Sequence, residues 1–333
     1  MFNKEFGEQK ALLREFNIPE CILKKYNEHH RFYHNQNHIN DLWIKGSKMI
    51  TKHDIGVPYD LGLAIIFHDI IYDPKSKDNE KKSAEFLMSF AKNDKFPTSR
   101  YDIFIRAYNA ILDTENHEPK TELGKVLCEI DVSSLHEDFD VLLKNEELIA
   151  KEYQYLPYEK YVSGRINFLI EFYKNNIDLG KVFNSYISFV KNKKPNIGLY
   201  AGTFNPFHKG HLNILEKAEK IFDKVIILYG NNTAKDNSIT KIVPKYIENR
   251  EIVHHSGLLV DYINSLPYDV TLIRGLRNTT DLQAELNLYR FLNDMKPDIK
   301  IINIFCDAEC EHISSSSLKE IEKFTSIKNY IVE

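Results

Sequence analysis

The chain has 333 residues, a length that suits two domains better than one core. With 43% hydrophobic and 28% charged residues it has enough apolar material to fold, and it is neither disordered nor low-complexity in composition. A net charge of −4 makes no case for a nucleic-acid or acidic-membrane partner, and no run approaches the roughly 20 apolar residues of a membrane span.

The N-terminus, Met1 to Glu5, is charged and lacks a signal-peptide core. Cys21, Cys128, Cys306 and Cys310 have neither zinc-site nor disulfide-framework spacing, so reduced thiols in a cytoplasmic protein are expected. From about Glu8 to Phe189 the text reads as helices joined by short polar connections. Ala64 to Phe67 and Glu80 to Phe90 carry apolar residues at helical spacing. Tyr161 to Tyr173 would place Val162, Ile166, Leu169, Ile170 and Tyr173 on one face.

Within this helical text lie Tyr33-His34-Asn35-Gln36-Asn37-His38, then Phe67-His68-Asp69-Ile70-Ile71-Tyr72-Asp73, then Asp131. Phe67, Ile70, Ile71 and Tyr72 predict burial of the His-Asp pair. A buried carboxylate needs a partner charge or a metal. Imidazoles with carboxylates suit a divalent transition metal such as Mn²⁺, Fe²⁺ or Ni²⁺, which can activate water. The order H…HD…D resembles the HD superfamily of metal-dependent phosphohydrolases. More closely it resembles a branch with the further elements Asn79-Glu80-Lys81-Lys82-Ser83-Ala84 and Gly164-Arg165, over about Ile22 to Phe189. That resemblance implies His34, His68, Asp69 and Asp131 as ligands. His38, Asp73, Glu80 and His117 are implied as contacts to substrate or to a second ion.

Lys191-Asn192-Lys193-Lys194-Pro195 reads as a linker, giving a helical domain over 1–190 and a second domain over 196–333. Beyond it strands alternate with helices. Strands are expected at Ile197–Tyr200, Lys224–Tyr229, Val270–Ile273 and Ile299–Phe305, and helices at Leu212–Phe222 and Leu282–Leu292. This pattern predicts an α/β Rossmann-like parallel sheet.

Gly202-Thr203-Phe204-Asn205-Pro206-Phe207-His208-Lys209-Gly210-His211 follows the first strand and opens the first helix. Ligands bind at the carboxyl ends of such strands, and a helix N-terminus there offers N–H groups to phosphate. The segment resembles the HxGH signature of a nucleotidyltransferase superfamily. Three more pieces are similar to phosphopantetheine adenylyltransferases: Arg274-Gly275-Leu276-Arg277 with Glu285, Ile313-Ser314-Ser315-Ser316-Ser317-Leu318-Lys319, and Gly257 to Tyr262. The resemblance spans about Asn196 to Lys323.

It implies transfer of an adenylyl group from ATP, with Mg²⁺, to 4′-phosphopantetheine. His211, His208 and Lys235 are implied as catalytic. Thr203, Phe204, His211, Gly275, Arg277, Glu285, Ile313, Ser314, Ser315, Ser316 and Lys319 are implied to hold ATP, and Thr203, Lys235, Leu259 and Arg274 the acceptor. Departures are Asn205 for the usual aspartate, Lys319 for arginine, and a short stretch from Lys235 to Gly257 in which only Glu248-Asn249-Arg250 remains of an expected helix. Rival readings are a nicotinate or nicotinamide mononucleotide adenylyltransferase, and a metabolite-sensing fusion whose main activity is hydrolytic. A homo-oligomer is compatible with the family.

Overall fold

Apolar residues at helical spacing build the first part of the chain, which a computed structural model describes over residues 2–51, 58–93, 96–174, 180–230 and 243–332. The helices there are α1 (Phe2–Glu15), α2 (Glu20–Leu23), α3 (Gln36–Thr51), α4 (Tyr59–Phe67), α5 (Asn79–Asn93), α6 (Tyr101–Asp113), α7 (Glu122–Asp131), α8 (Phe139–Glu152), α9 (Tyr158–Lys174) and α10 (Gly180–Asn192). The rest alternates as β1 (Ile197–Gly202), α11 (Lys209–Ala218), β2 (Lys224–Gly230), β3 (Glu251–His255), α12 (Leu259–Ser265), β4 (Thr271–Leu276), α13 (Thr279–Met295), β5 (Lys300–Phe305) and α14 (Ser315–Ile321). The expected fold class holds: a mostly helical N-terminal region and a C-terminal parallel sheet with helices. No described helix is long and apolar enough to cross a membrane.

Contacts group Met1–Glu152 with Asp178–Tyr186 in one compact unit, and Tyr153–Ile177 with Ile187–Glu333 in the other. In the first, α4 is the central helix. Leu61 to Phe67 are all buried, and a helix apolar on every side belongs inside. It packs on α3, α5, α6 and α7. The segment that returns to this unit is held by Tyr186, whose buried hydroxyl donates to Glu146 of α8.

In the second unit all five strands are parallel, in the order β3-β2-β1-β4-β5. Alternate side chains feed two cores. Tyr200, Ile227, Tyr229 and Ile273 face one side, and Leu199, Ile226, Leu228 and Leu272 the other. The strand order reverses between β1 and β4, which opens a crevice beyond their carboxyl ends.

Several local expectations change. β3 was not foreseen. Helix α11 covers Lys209–Ala218, not Leu212–Phe222, because its cap lies at His208 and the chain turns after Ala218. On α9 the buried line is Tyr161, Leu169 and Tyr173, whereas Ile170 is exposed. Glu248 to Arg250 form no helix. They follow a 3₁₀ turn at Lys245–Ile247, and buried Arg250 grips Glu219 through two nitrogens.

The start of α9 is tied to the sheet through a buried cation. Lys224, 5% exposed at the foot of β2, donates to the carbonyls of Gln154 and Leu156 and lies 2.8 Å from Glu251 of β3. Removing one partner of such a pair strands the other charge. Lys224→Met should therefore cost about 3 kcal/mol or more, read as a fall in Tm. Adding Glu251→Leu should recover much of the loss. A single variant as stable as the parent would refute the pairing.

Candidate functional site

The strand-switch crevice is a cleft of about 540 Å³. One wall is the turn from β1 into α11. Phe204 sits in that turn at φ 45°, a left-handed conformation few large residues adopt, and its buried ring packs on Tyr200, Phe207, Tyr229 and His211. A Cβ on Gly202 would come within 2.8 Å of that ring, so glycine is required there.

His208 caps α11, accepting from the His211 N–H through Nδ1. His211 Nδ1 accepts from the His208 N–H in return. Because both Nδ1 atoms act as acceptors, both neutral rings carry their proton on Nε2. The rings stack with centroids 3.6 Å apart. Burial and then the Arg277 charge push His208 down to about 4. Burial, His208 and Arg277 hold His211 well below the usual range. The pair is thus two neutral N–H donors at physiological pH, which suits stabilisation of negative charge without proton transfer.

The titration has a consequence for stability. An unfolded histidine gains its proton near 6.5, whereas His208 resists protonation until about 4. Between these values the unfolded chain binds more protons, so stability rises with pH across the window and is lost as pH falls through it. Urea unfolding at pH 7 and pH 5 should show this loss, and a His208→Asn chain should show less of it. An unchanged dependence would place the titration elsewhere.

On the facing wall, Arg274 at the end of β4 makes a bidentate pair with Glu285 of α13 and donates to the Ala201 carbonyl. Arg277 makes a second bidentate pair with Asp281. Each arginine is therefore held in a fixed direction before any ligand arrives. Ser314 spends its hydroxyl capping α14 through the Ser317 N–H, and the Ser315 hydroxyl donates to the Pro206 carbonyl.

Of the residues implied by the sequence, Thr203, Phe204, His208, His211, Leu259, Arg274, Gly275, Arg277, Glu285, Ile313 and Ser314 to Ser316 line this cleft together. Lys319 lies further along α14, outside the wall. Lys235 falls outside the described residues. Sequence reasoning missed Asp281 and His255, both in the wall. The helical i,i+4 spacing from Arg277 could have flagged Asp281. His255 closes a turn onto the Leu258 carbonyl and had no such signal.

In the helical unit a second set of groups converges. His38, in the first turn of α3, His68, capping the end of α4, and Asp131, closing α7, offer ligand atoms all within 4.8 Å of one another. His68 Nδ1 lies 3.0 Å from the Ile65 carbonyl, which only accepts. The ring must donate there, so its Nε2 presents a lone pair. That Nε2 is 3.1 Å from Asp69 and 3.6 Å from Asp131. His38 Nε2 lies 3.2 Å from Asp131 and 3.9 Å from Asp69. Both Nε2 atoms are buried without a hydrogen bond. Buried ring nitrogens facing carboxylates without a hydrogen bond call for a cation between them, a proton or a metal ion.

The carboxylates draw a positive charge to this point. Burial opposes ionisation, yet the Asp69 charge and contacts to both carboxylates hold the His68 imidazole well above its usual range, so a proton on Nε2 answers them and a metal ion would displace it. Against the same burial, the hydrogen bond from His117 and the close approach of His38 and His68 hold Asp131 well below its own. The residues fit a divalent ion bound by two imidazoles and one or two carboxylates.

Here the structure differs from the ligand set implied by the sequence. His38 is in the converging group and His34 is not. Glu152, buried on α8, takes His34 Nδ1 at 2.6 Å together with the N–H groups of Tyr33 and His34 and the Tyr72 hydroxyl. His117 bonds the outer oxygen of Asp131 at 3.2 Å. Glu80 is half-buried, and burial, then Asp69 and Glu115, push its carboxyl up. Asp73 is exposed and accepts from the Lys75 N–H, so it shapes a turn. Buried Arg31 joins the two stretches of the site. It donates to the carbonyls of His34, Asp69 and Ile70.

Comparison with known proteins bears on the cleft. Residues 199–321 match the cytidylyltransferase-like family model. The chain is 32% identical over 136 residues to a phosphopantetheine adenylyltransferase of Clostridium botulinum (strain Alaska E43 / Type E3), covering 38% of this chain and 85% of the relative. For the protein of that name from Prochlorococcus marinus (strain MIT 9301) the identity is 34% over 142 residues, 40% of this chain and 90% of the relative. The one from Clostridium perfringens (strain SM101 / Type A) is 33% identical over 145 residues, 40% of this chain and 87% of the relative. Through this C-terminal part, built on a reversing parallel sheet with the paired histidines at its switch, the chain belongs to the phosphopantetheine adenylyltransferase family of nucleotidyltransferases.

Proposed function

We propose that the cleft transfers the adenylyl group of ATP to 4′-phosphopantetheine, giving dephospho-coenzyme A and pyrophosphate. The observation that carries this reading is the placement, on one cleft, of the two neutral Nε2–H donors opposite two pre-oriented arginines. An oxygen of the acceptor phosphate attacks the α-phosphorus in line. A new O–P bond forms as the bond to the β-phosphate bridge breaks, and pyrophosphate leaves with the electron pair. No protein nucleophile is needed, so catalysis consists of positioning and charge stabilisation.

In this scheme His211, with His208 beside it, receives the developing charge on the α-phosphate. Arg277 and the Ser314–Ser316 turn hold the nucleotide. Lys235 and the Arg274–Glu285 pair serve the acceptor. Mg²⁺ accompanies ATP and supplies charge neutralisation on its phosphates. The test is pyrophosphate release from ATP with 4′-phosphopantetheine or nicotinate mononucleotide offered side by side. Turnover of the first is expected. Turnover of the second alone would overturn the acceptor assignment.

For the helical unit we propose an HD-type metal-dependent phosphohydrolase. His38, His68 and Asp131, with Asp69 adjacent, would hold a divalent transition metal such as Mn²⁺, Fe²⁺ or Ni²⁺. When bound, such an ion polarises a phosphoester and lowers the pKa of water. Around it Glu152 orients His34, Asp131 orients His117, and Arg31 fixes the backbone of both stretches. A phosphoester screen with added Mn²⁺ tests this, and a full-length protein inert to all esters while binding the ion would reduce the site to a structural one.

A further inference from the structure

Helix α11 begins with four backbone N–H groups that its own turns cannot satisfy. His211 donates to the His208 carbonyl and to its Nδ1, and Leu212 donates to the His208 carbonyl. Lys209, the first helical residue, donates to the carbonyl of Tyr330 at 2.8 Å. Among the described residues the Gly210 N–H has no partner, and Gly210 lines the cleft. One N–H of the helix start is thus left over, in the same cleft wall as the two histidines.

The Tyr330 contact is part of a larger one. Ile331 forms an antiparallel bridge with His208, and the Val332 N–H donates to the Phe207 carbonyl at 3.3 Å. The last described residues therefore run against the main chain of the catalytic turn. Their side chains anchor this strip: Ile327, Tyr330 and Ile331 pack with Ile313 and Leu318 of the serine turn, and Val332 joins the core that holds Phe204 and Phe207. The cap residue His208 is extended, at φ −125° and ψ 170°. Extended backbone is the usual N-cap conformation, and here the strip lies against the main chain that leads into it.

We propose that the segment Ile327–Val332 is a positioning strap for adenylyl transfer. Through the Tyr330 carbonyl and the Val332 N–H it sets the peptide planes on both sides of His208 and keeps the Gly210 N–H and the two imidazole donors for phosphate. The strap touches no substrate. It acts through His208, and it rests on the nucleotidyltransferase reading of the cleft but not on which acceptor is used. Losing it should leave nucleotide binding, which draws on Arg277 and the serine turn, and slow the chemical step.

The test uses the full chain with Val332→Pro, which deletes the donor to Phe207, and Val332→Ala, which keeps it. A third chain lacks Asn329 to Glu333. With ATP, Mg²⁺ and 4′-phosphopantetheine, kcat should fall about tenfold in the proline chain and further in the shortened one, with KM for ATP within about twofold of the parent. The alanine chain should retain the parent kcat. Parent kcat in both the proline and shortened chains would overturn the proposal. So would equal losses in the alanine and proline chains, since that points to packing alone. Imidazole ¹⁵N spectra supply a readout that needs no acceptor. His208 should be locked with Nδ1 unprotonated in the parent and exchange between tautomers in the proline chain. An unaltered His208 signal would overturn the strap even if the acceptor is another compound. An inactive parent with a shifted signal would count against phosphopantetheine and leave the strap supported.

Discussion

His211→Ala should slow adenylyl transfer by about 10²-fold or more, the usual loss for one donor to transition-state charge. The fall should appear in kcat, with KM for ATP nearly unchanged, because on the proposed reading the nucleotide keeps Arg277 and the Ser314–Ser316 turn, which line the same cleft. Some stability should also go. His211 Nδ1 answers the His208 N–H, so its removal opens half of a reciprocal cap, worth about 1 kcal/mol. Measuring Tm with the kinetics separates the two effects. The rate should show no titration near the ordinary histidine range, since both rings stay neutral well below it. A parallel rise in KM would instead assign His211 to ground-state binding.

Asp131→Ala should abolish binding of Mn²⁺ by the full chain in a calorimetric titration. Asp131 faces His38, His68 and His117 together, so its loss leaves the two inner imidazoles only Asp69, which is 3.1 Å from His68 but 3.9 Å from His38. His38→Ala should be nearly as severe. His34→Ala should weaken binding far less, in the range of about 10- to 100-fold seen when a group outside the ligand set is lost. That order distinguishes the geometry from the assignment implied by the motif, in which His34 is a ligand beside His68, Asp69 and Asp131, and His38 an auxiliary contact. Equal affinities for the parent and the Asp131 variant would falsify the site, and a His34 effect larger than that of His38 would restore the motif assignment.

The contrast between His34 and His38 shows what a sequence can carry. Tyr33 to His38 announced a metal site, but two histidines four apart straddle a helix start. Which ring turns inward depends on Glu152, more than a hundred residues away, whose carboxylate claims His34. The cleft was more legible because its parts are short, local and ordered along the chain: a glycine turn, an arginine pair, a serine cap. Asp281 was hidden in plain helical spacing. β3 escaped because its apolar run is only Ile252-Val253, flanked by Glu251 and two histidines, and its place is secured by a charge pair with Lys224. The strap over His208 works through main-chain groups of Tyr330 and Val332, which leave no trace in side-chain pattern.

The division of the chain also bears on how the protein is made. Tyr153–Ile177 belongs with the sheet, but the chain then gives Asp178–Tyr186 back to the helical unit, where Tyr186 is pinned by Glu146, before the sheet begins. During synthesis the ribosome must release α9 before it releases the piece that finishes the first unit. Until the strands are made, that helix lacks the rest of its own unit. Nor can one scissor cut in the gene separate the two units cleanly, because each holds a stretch that lies, in reading order, inside the other.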